Sequence, residues 1–533
     1  MTTTGDPDIT TSPSTPASAP PIPAVSPRER RTVLSLTAAF GLLLVVWALV
    51  TPLFGAPDEA PHLNSVVRVA EGGGWPAAAT TPYYDAVLVM RESAGSPPAE
   101  RPTVGELLTE HPGFRADIDQ MSQHPPTYYA VAAGVLRLVD YHDVRWDHAV
   151  VLLRLLDVVL VAPLPLLAWA TVRRVTRSPR AGVVGALAVF VVPQVAQIGS
   201  SLSNDAPVML LGASIVYAGS RLLTGDLRWR TLVALGLLMG TAAATKGTAL
   251  PLVPFVAVVA LFSGVGVLAW PVRVLRLAVA GALTLAVSGW WWIHNVLVYG
   301  TLQPNGMGDA RPEQPWPAGE TVNVGAFANQ IWSGVSASFW GNFGSLKFPM
   351  SPVLTDALTM LVVLPVLAFA FRRRQDAIVA VALATAPVAL FASLALTVFN
   401  TYAETQGIYG TQGRYLFPGL VAGIALAALA WRRMLVSEGR RRGFSRGMLV
   451  GAPLVALYGL TVAYRGFYQD SDLEVTRAGL ALLSATAPTG RLVLVVVVLA
   501  FAAVGTAALW QARWITRTTS PLVGTEEQLP VPA

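Results

Sequence analysis

The chain has 533 residues, 53% of them apolar and 13% charged, against roughly 25% charged in a typical soluble domain. With uncharged apolar runs of about 20 residues recurring along it, this composition excludes a soluble monomer and points to an all-α polytopic integral membrane protein. The net charge of +6 carries no sign of a nucleic-acid partner, and the lack of cysteine excludes disulfides, thiolate metal sites and thiol nucleophiles.

Residues 1–27 are rich in Thr, Ser, Pro and Ala without apolar periodicity and read as a disordered cytoplasmic tail. Arg28, Arg30 and Arg31 then precede the apolar run 32–54. That run exceeds the ~7 to 15 residues of a signal-peptide core and lacks a clear A-x-A site, so it reads as a retained first span. Further runs lie near 149–171, 181–199, 205–223, 231–245, 248–268, 274–298, 353–371, 377–399, 415–431, 447–464 and 491–510, giving an expectation of twelve spans. With a cytoplasmic amino terminus, the clusters Arg173 to Arg180, Arg221 to Arg230, Arg273/Arg276, Arg372 to Arg374, Arg432 to Arg446 and Arg513/Arg517 all fall inside. These runs of arginine read as topology signals.

This assignment requires 125–140 to lie at the interface or re-enter. The membrane domain is then 28–517, with a second cytoplasmic tail at 518–533 and the protein in the plasma membrane. Outside lie 55–148, a large first loop carrying interfacial helices, a second long loop at 299–352, a third long stretch at 465–490, and a shorter one at 400–414. All six histidines fall on this side, so chemistry is expected to face outward.

Directly after the first span, Pro57-Asp58-Glu59-Ala60-Pro61-His62 places two adjacent carboxylates in a proline-restricted turn. They could cap a helix in a solvated loop, bind a divalent ion, or take a proton from an attacking hydroxyl if desolvation raises their pKa. Gln123-His124-Pro125-Pro126-Thr127-Tyr128-Tyr129 opens a helix whose amino terminus suits an anion, while its two tyrosines read first as an interfacial belt. In Ser203-Asn204-Asp205, Ser203 or Asn204 could simply cap the next helix.

Lys246, one of two lysines in the chain, sits between apolar runs and calls for a partner, either a lipid phosphate or an outer carboxylate, unless it snorkels. Arg414, in Gln412-Gly413-Arg414-Tyr415-Leu416-Phe417-Pro418, stands at an outer helix mouth, where its planar fork suits phosphate or carboxylate. Arg154 and Asp157 are spaced to pair along one helical face, and Trp290-Trp291-Trp292 reads as an interfacial anchor.

Taken in order, the Asp58, His124, Asn204, Lys246 and Arg414 motifs resemble a family of predicted membrane proteins common in actinobacteria, a domain of unknown function. That family in turn is similar to the GT-C superfamily of integral-membrane glycosyltransferases, which includes protein O-mannosyltransferases and the aminoarabinose transferase of lipid A. The resemblance implies a GT-C-like fold and a hexosyl- or pentosyltransferase that moves a sugar from a polyprenyl-phosphate carrier to a cell-wall glycan, lipid or protein acceptor. It gives Asp58 the place of the catalytic acidic residue in the first outer loop, with Glu59 as neighbour or substitute, and the second acidic position to Asp205. His124, Lys246, Arg414 and Tyr415 are then expected at the donor phosphate, with His62, Asn204 and Gln412 in support.

Single displacement at the anomeric carbon inverts its configuration, and outer cations stabilise the leaving phosphate. A divalent ion, Mg2+ or Mn2+, held by Asp58, Glu59 and Asp205 is the alternative stabiliser. The competing function is a transporter or flippase of a lipid-linked sugar or other amphiphile, since twelve spans also suit a transporter. The lack of an obvious internal repeat and the gathering of polar residues at one face argue against it.

Overall fold

The computed structural model describes residues 24–307, 313–372, 377–469 and 474–517, so the proposed tails lie almost wholly outside the described residues. The first helix, α1 (Pro27–Val50), is started by Ser26, whose hydroxyl accepts from Glu29 N. Residues 55–148 then fold into a small body of α2 (Glu59–Ala70), β1 (Thr81–Tyr84), α3 (Asp85–Glu92), α4 (Val104–Glu110), β2 (Phe114–Asp119) and α5 (Thr127–Leu138).

The membrane bundle continues with α6 (Trp146–Val161), α7 (Leu164–Thr176), α8 (Pro179–Ala188), α9 (Pro193–Ile198), α10 (Asp205–Leu223) and α11 (Trp229–Ala243). Next come α12 (Val253–Phe262), α13 (Trp270–Tyr299), α14 (Val324–Trp340), the single turn α15 (Phe343–Leu346), α16 (Pro352–Phe369) and α17 (Ala377–Thr405). The last are α18 (Leu420–Met434), α19 (Glu438–Tyr468), α20 (Arg477–Thr486) and α21 (Gly490–Ile515).

Among the described residues nine segments are long and apolar enough to cross a membrane, α6 and α7 forming one of them. Three of the twelve expected runs, at 181–199, 231–245 and 248–268, instead hold helices of 10–17 residues, Pro179–Val191, Trp229–Ala243 and Gly247–Phe262. Pro193 ends one helix and starts another, and the extended backbone of Lys246 separates α11 from the next turn.

The interior is built where these helices cross, from Phe40, Leu44, Trp47, Val195, Val216, Phe255, Ala386 and Ala425. Helix α5 spans twelve residues, about 18 Å at the usual rise and well short of the ~30 Å hydrocarbon core. It packs on α2 through Tyr129, Ala132 and Leu136, over a second core shared with Leu63, Val67 and Trp146. An antiparallel β1–β2 pair closes this body, and Asp119 at its edge accepts from Asn64, Ser65 and Met121 N.

The belt reading of Tyr128 and Tyr129 is overturned, because both are buried, Tyr128 donating to Asp157. Of the tryptophan triplet only Trp290 is exposed, and Trp291 and Trp292 are buried. The arginine clusters do more than signal topology: at the α1 amino-terminal end Arg173 binds Glu29, Arg180 binds Glu438, and Asp226 lies between Arg221 and Arg228.

A fully buried ion pair fastens the small body to the bundle. Arg154 on α6 donates from Nε and Nη2 to the two oxygens of Glu59 at 2.8 and 2.7 Å, and from Nη1 and Nη2 to the carbonyls of Ala48, Thr51 and Pro52. Glu59 also accepts from Ala56 N and Leu202 N, and both side chains are fully buried. The expected Arg154–Asp157 pair is therefore absent: Arg154 faces Glu59, while Asp157 accepts from Tyr128 and Ser203 N.

Removing one member of a buried pair strands the other charge, at a cost of about 3–5 kcal/mol. We expect Glu59→Gln or Arg154→Met to lower the stability of the detergent-purified chain by that order, with the double variant recovering part of the loss. Thermal unfolding of the three variants checks this, and a single-variant loss under about 1 kcal/mol would contradict it.

Candidate active site

Asp58 follows the end of α1 with left-handed backbone, φ 62° and ψ 14°, a conformation that aspartate tolerates better than most residues. It occupies the N-cap position of α2 but makes no capping bond. Its carboxylate instead accepts from Arg414 Nη2 at 2.5 Å, a contact between residues 356 apart in the chain. The left-handed turn sends Asp58 and Glu59 in different directions, one to Arg414 and the other to Arg154.

Arg414 lies in the 3-10 turn Gly413–Gly419 that leads into α18. Two glycines let this turn approach its neighbours: a Cβ at Gly413 would fall 2.4 Å from Phe339 N, and one at Gly212 on α10 would fall 2.3 Å from the carbonyl oxygen of Pro418. The close crossing with α10 brings Arg414 Nη1 to 3.7 Å from Asp205 Oδ2. Asp205 begins α10, and its Oδ1 accepts from Lys246 Nζ at 2.6 Å. Lys246 thus has the Asp205 carboxylate as its partner. Thr127, at the start of α5, docks beside it by donating to the Ala244 carbonyl.

The result is an alternating row, Asp58–Arg414–Asp205–Lys246, whose charges sum to zero. Arg414, Asp205 and Lys246 keep at most 7% of their side-chain surface, whereas Asp58 keeps 31%. Asp58 is therefore the member of the row that a ligand reaches. Burial alone would raise its carboxyl, but the Arg414 guanidinium, helped by the Lys246 ammonium, holds it below the usual 3.8. The sequence-based idea that desolvation raises this pKa is corrected by that counterion: Asp58 is ionised at neutral pH.

His62 and His124 are neutral. Burial and the Lys246 ammonium push His62 down to about 3 and hold His124 well below its ordinary value. His124 is consequently a hydrogen-bonding group here and not the expected cation. His62 Nδ1 lies 3.0 Å from the Tyr129 hydroxyl, which also accepts from Asn204 Nδ2 at 3.3 Å. The arrangement that uses every proton has Tyr129 donating to Nδ1, leaving the ring proton on Nε2. Asn204 occupies the N-cap position of α10 without capping it; Ser203 accepts from Asp205 N instead.

Four buried polar atoms around the row have no partner among the described residues: His124 Nδ1, Asn204 Oδ1, Gln412 Oε1 and Arg414 Nε. Such atoms are costly to bury unless a ligand pairs with them, and this set mixes donors with acceptors as a polyhydroxylated ligand requires. Tyr415 contributes its ring, 5.5 Å from the Arg414 guanidinium carbon.

The structure brings together Asp58, His62, Asn204, Asp205, Lys246 and Arg414, but not Glu59. Both Glu59 oxygens are engaged by Arg154 and backbone amides, so it is available neither as a substitute base nor as the third ligand of the proposed Mg2+ or Mn2+ site. No group of three or more acidic or histidine side chains among the described residues is placed to share an ion. Sequence reasoning passed over Tyr129. The available signal was that successive helical residues point about 100° apart, so Tyr128 and Tyr129 could not share one interfacial face.

The chain is similar to solved structures of ArnT from Cupriavidus metallidurans. The apo form is 17% identical over 91% of this chain and 76% of that one, with a TM-score of 0.48. The form bound to undecaprenyl phosphate is 16% identical over the same shares, with a TM-score of 0.47. The apo oligosaccharyltransferase of Archaeoglobus fulgidus is 13% identical over 90% of this chain and 56% of that one, with a TM-score of 0.42. No curated protein matches the chain in sequence. A family model described as "Predicted membrane protein (DUF2142)" matches residues 40–422, and the chain belongs to that family.

Proposed function

We propose that this protein is an integral-membrane glycosyltransferase that moves a sugar from a polyprenyl-phosphate carrier to a cell-envelope acceptor at the outer membrane face. The observation that carries this reading is the row Asp58–Arg414–Asp205–Lys246, a reachable carboxylate abutting two buried cations. The arginine clusters at the opposite end of the bundle favour a cytoplasmic position for that end, which supports an outer position for Asp58.

The chemistry follows from the charges. A donor phosphate competes with Asp58 for Arg414 and gains Lys246 as a second cation, each held in a dry setting where its field is strong. Asp58, losing its counterion to the phosphate, becomes more basic and accepts the proton of the acceptor hydroxyl. The hydroxyl oxygen bonds to the anomeric carbon as the bond from that carbon to the phosphate oxygen breaks, inverting the centre. The electron pair leaves with the polyprenyl phosphate, whose added charge rests on Arg414 and Lys246. Neutral His62 and His124, with Asn204 and Gln412, offer hydrogen bonds to sugar hydroxyls.

The direct test supplies the purified full chain with a panel of polyprenyl-phosphate sugars and cell-envelope acceptors and follows free polyprenyl phosphate. Acceptor-dependent release that a chelator leaves unchanged is expected, and no release with any donor would overturn the reading. Asp58→Asn should cut turnover about a hundredfold to ten-thousandfold while retaining donor binding; transport through a midplane site would survive the change.

Arg414→Lys keeps the charge but removes the planar fork, so donor affinity should fall by about tenfold, and unchanged binding would count against its role. Because the carboxyl of Asp58 titrates below 3.8, kcat/KM should stay level as pH falls from 7 towards about 4. In Arg414→Gln the raising effect of burial is opposed by Lys246 alone, and the acid limb should move upward by about one pH unit or more. A wild-type acid limb centred near pH 6 would contradict this assignment.

A further inference from the structure

At the end of the bundle away from Asp58, α19 and α21 diverge around a groove of about 550 Å3. It is lined by Arg446, Leu449 and Val450 on α19 and by Thr506, Leu509, Trp510, Arg513 and Arg517 on or just beyond α21. The spacing from Thr506 to Arg517 follows one helical face, so the lining runs from an aliphatic section to a basic mouth.

Several arginines described at this end hold an acid or a carbonyl: Arg173 to Glu29, Arg180 to Glu438, Arg221 and Arg228 to Asp226, and Arg276 to the Leu227 carbonyl. Arg446, Arg513 and Arg517 differ. Each is exposed, none has an ion pair among the described residues, and Arg517 has only the Trp514 ring, 5.3 Å from its guanidinium carbon.

We propose that this groove binds an anionic phospholipid, its phosphate headgroup held by Arg446, Arg513 and Arg517 and an acyl chain lying along Val450, Leu449 and Leu509. Charge complementarity selects the headgroup, since three arginines line one groove with no carboxylate in its lining among the described residues. The aliphatic section selects a lipid over free phosphate. Among the nine long segments α21 is the least buried, so the groove is open from the side on which lipid would lie. This site is independent of the glycosyltransferase reading, because it shares no residue with the row around Asp58.

The test is native mass spectrometry of the full chain released from phosphatidylcholine nanodiscs containing phosphatidylglycerol. Retained phosphatidylglycerol is expected to exceed phosphatidylcholine by about tenfold at equal supply, and Arg446→Gln/Arg513→Gln/Arg517→Gln is expected to abolish the preference. The single Arg513→Gln chain, altered at one exposed position, should show a smaller fall in the same direction. Val450→Trp fills the aliphatic section without touching charge and should also lower retention. Equal retention of the two lipids, an unchanged preference in the triple variant, wild-type retention in Val450→Trp, or displacement of the lipid by inorganic phosphate would each overturn the proposal.

Discussion

The site depends on one electrostatic constraint: two carboxylates and two cations sit in a row in a dry setting, and none is tolerable there alone. Buried charge is costly without a partner. Lys246 is held by Asp205, Asp205 also faces Arg414, and Arg414 is tied to Asp58. Because the three inner members are buried and Asp58 is not, the row has a closed end and an open one. A phosphate arriving at the open end can exchange with Asp58 without stranding any other charge, which is how binding and base activation become one event in our proposal.

The row is assembled from four separated places in the chain, so its geometry rests on the fastenings behind it. Arg154 gathers Glu59 and the end of α1 around a single guanidinium, which sets the direction in which Asp58 emerges. Gly212 and Gly413 let the Arg414 turn close against α10 and α14. Thr127 ties α5 to the end of α11, next to Lys246. Stability and chemistry thereby fall to adjacent acids, Glu59 and Asp58.

The long apolar runs were legible in the sequence because twenty uncharged residues have few other uses, and the membrane class followed from them. The short helices were less so: the breaks at Pro193 and Lys246 are set by tertiary closure, and hydropathy reads through them. The residue types of the candidate site could also be named in order, including a carboxylate as partner for Lys246. Pairing could not. Contiguity suggested that Asp58 and Glu59 act together, and spacing suggested Arg154 with Asp157. A positive φ at residue 58 and the fold of 55–148 redistributed them. Protonation was equally hidden, since it was the Arg414 counterion that decided the direction for Asp58.

The most direct measurement of the central claim is a structure of the Asp58→Asn chain with a polyprenyl-phosphate sugar bound. The account predicts the phosphate between Arg414 and Lys246, with residue 58 released from Arg414 and facing the anomeric carbon. A phosphate seated elsewhere in the molecule, with the Arg414–Asp205–Lys246 contacts and the residue 58 contact undisturbed, would contradict it.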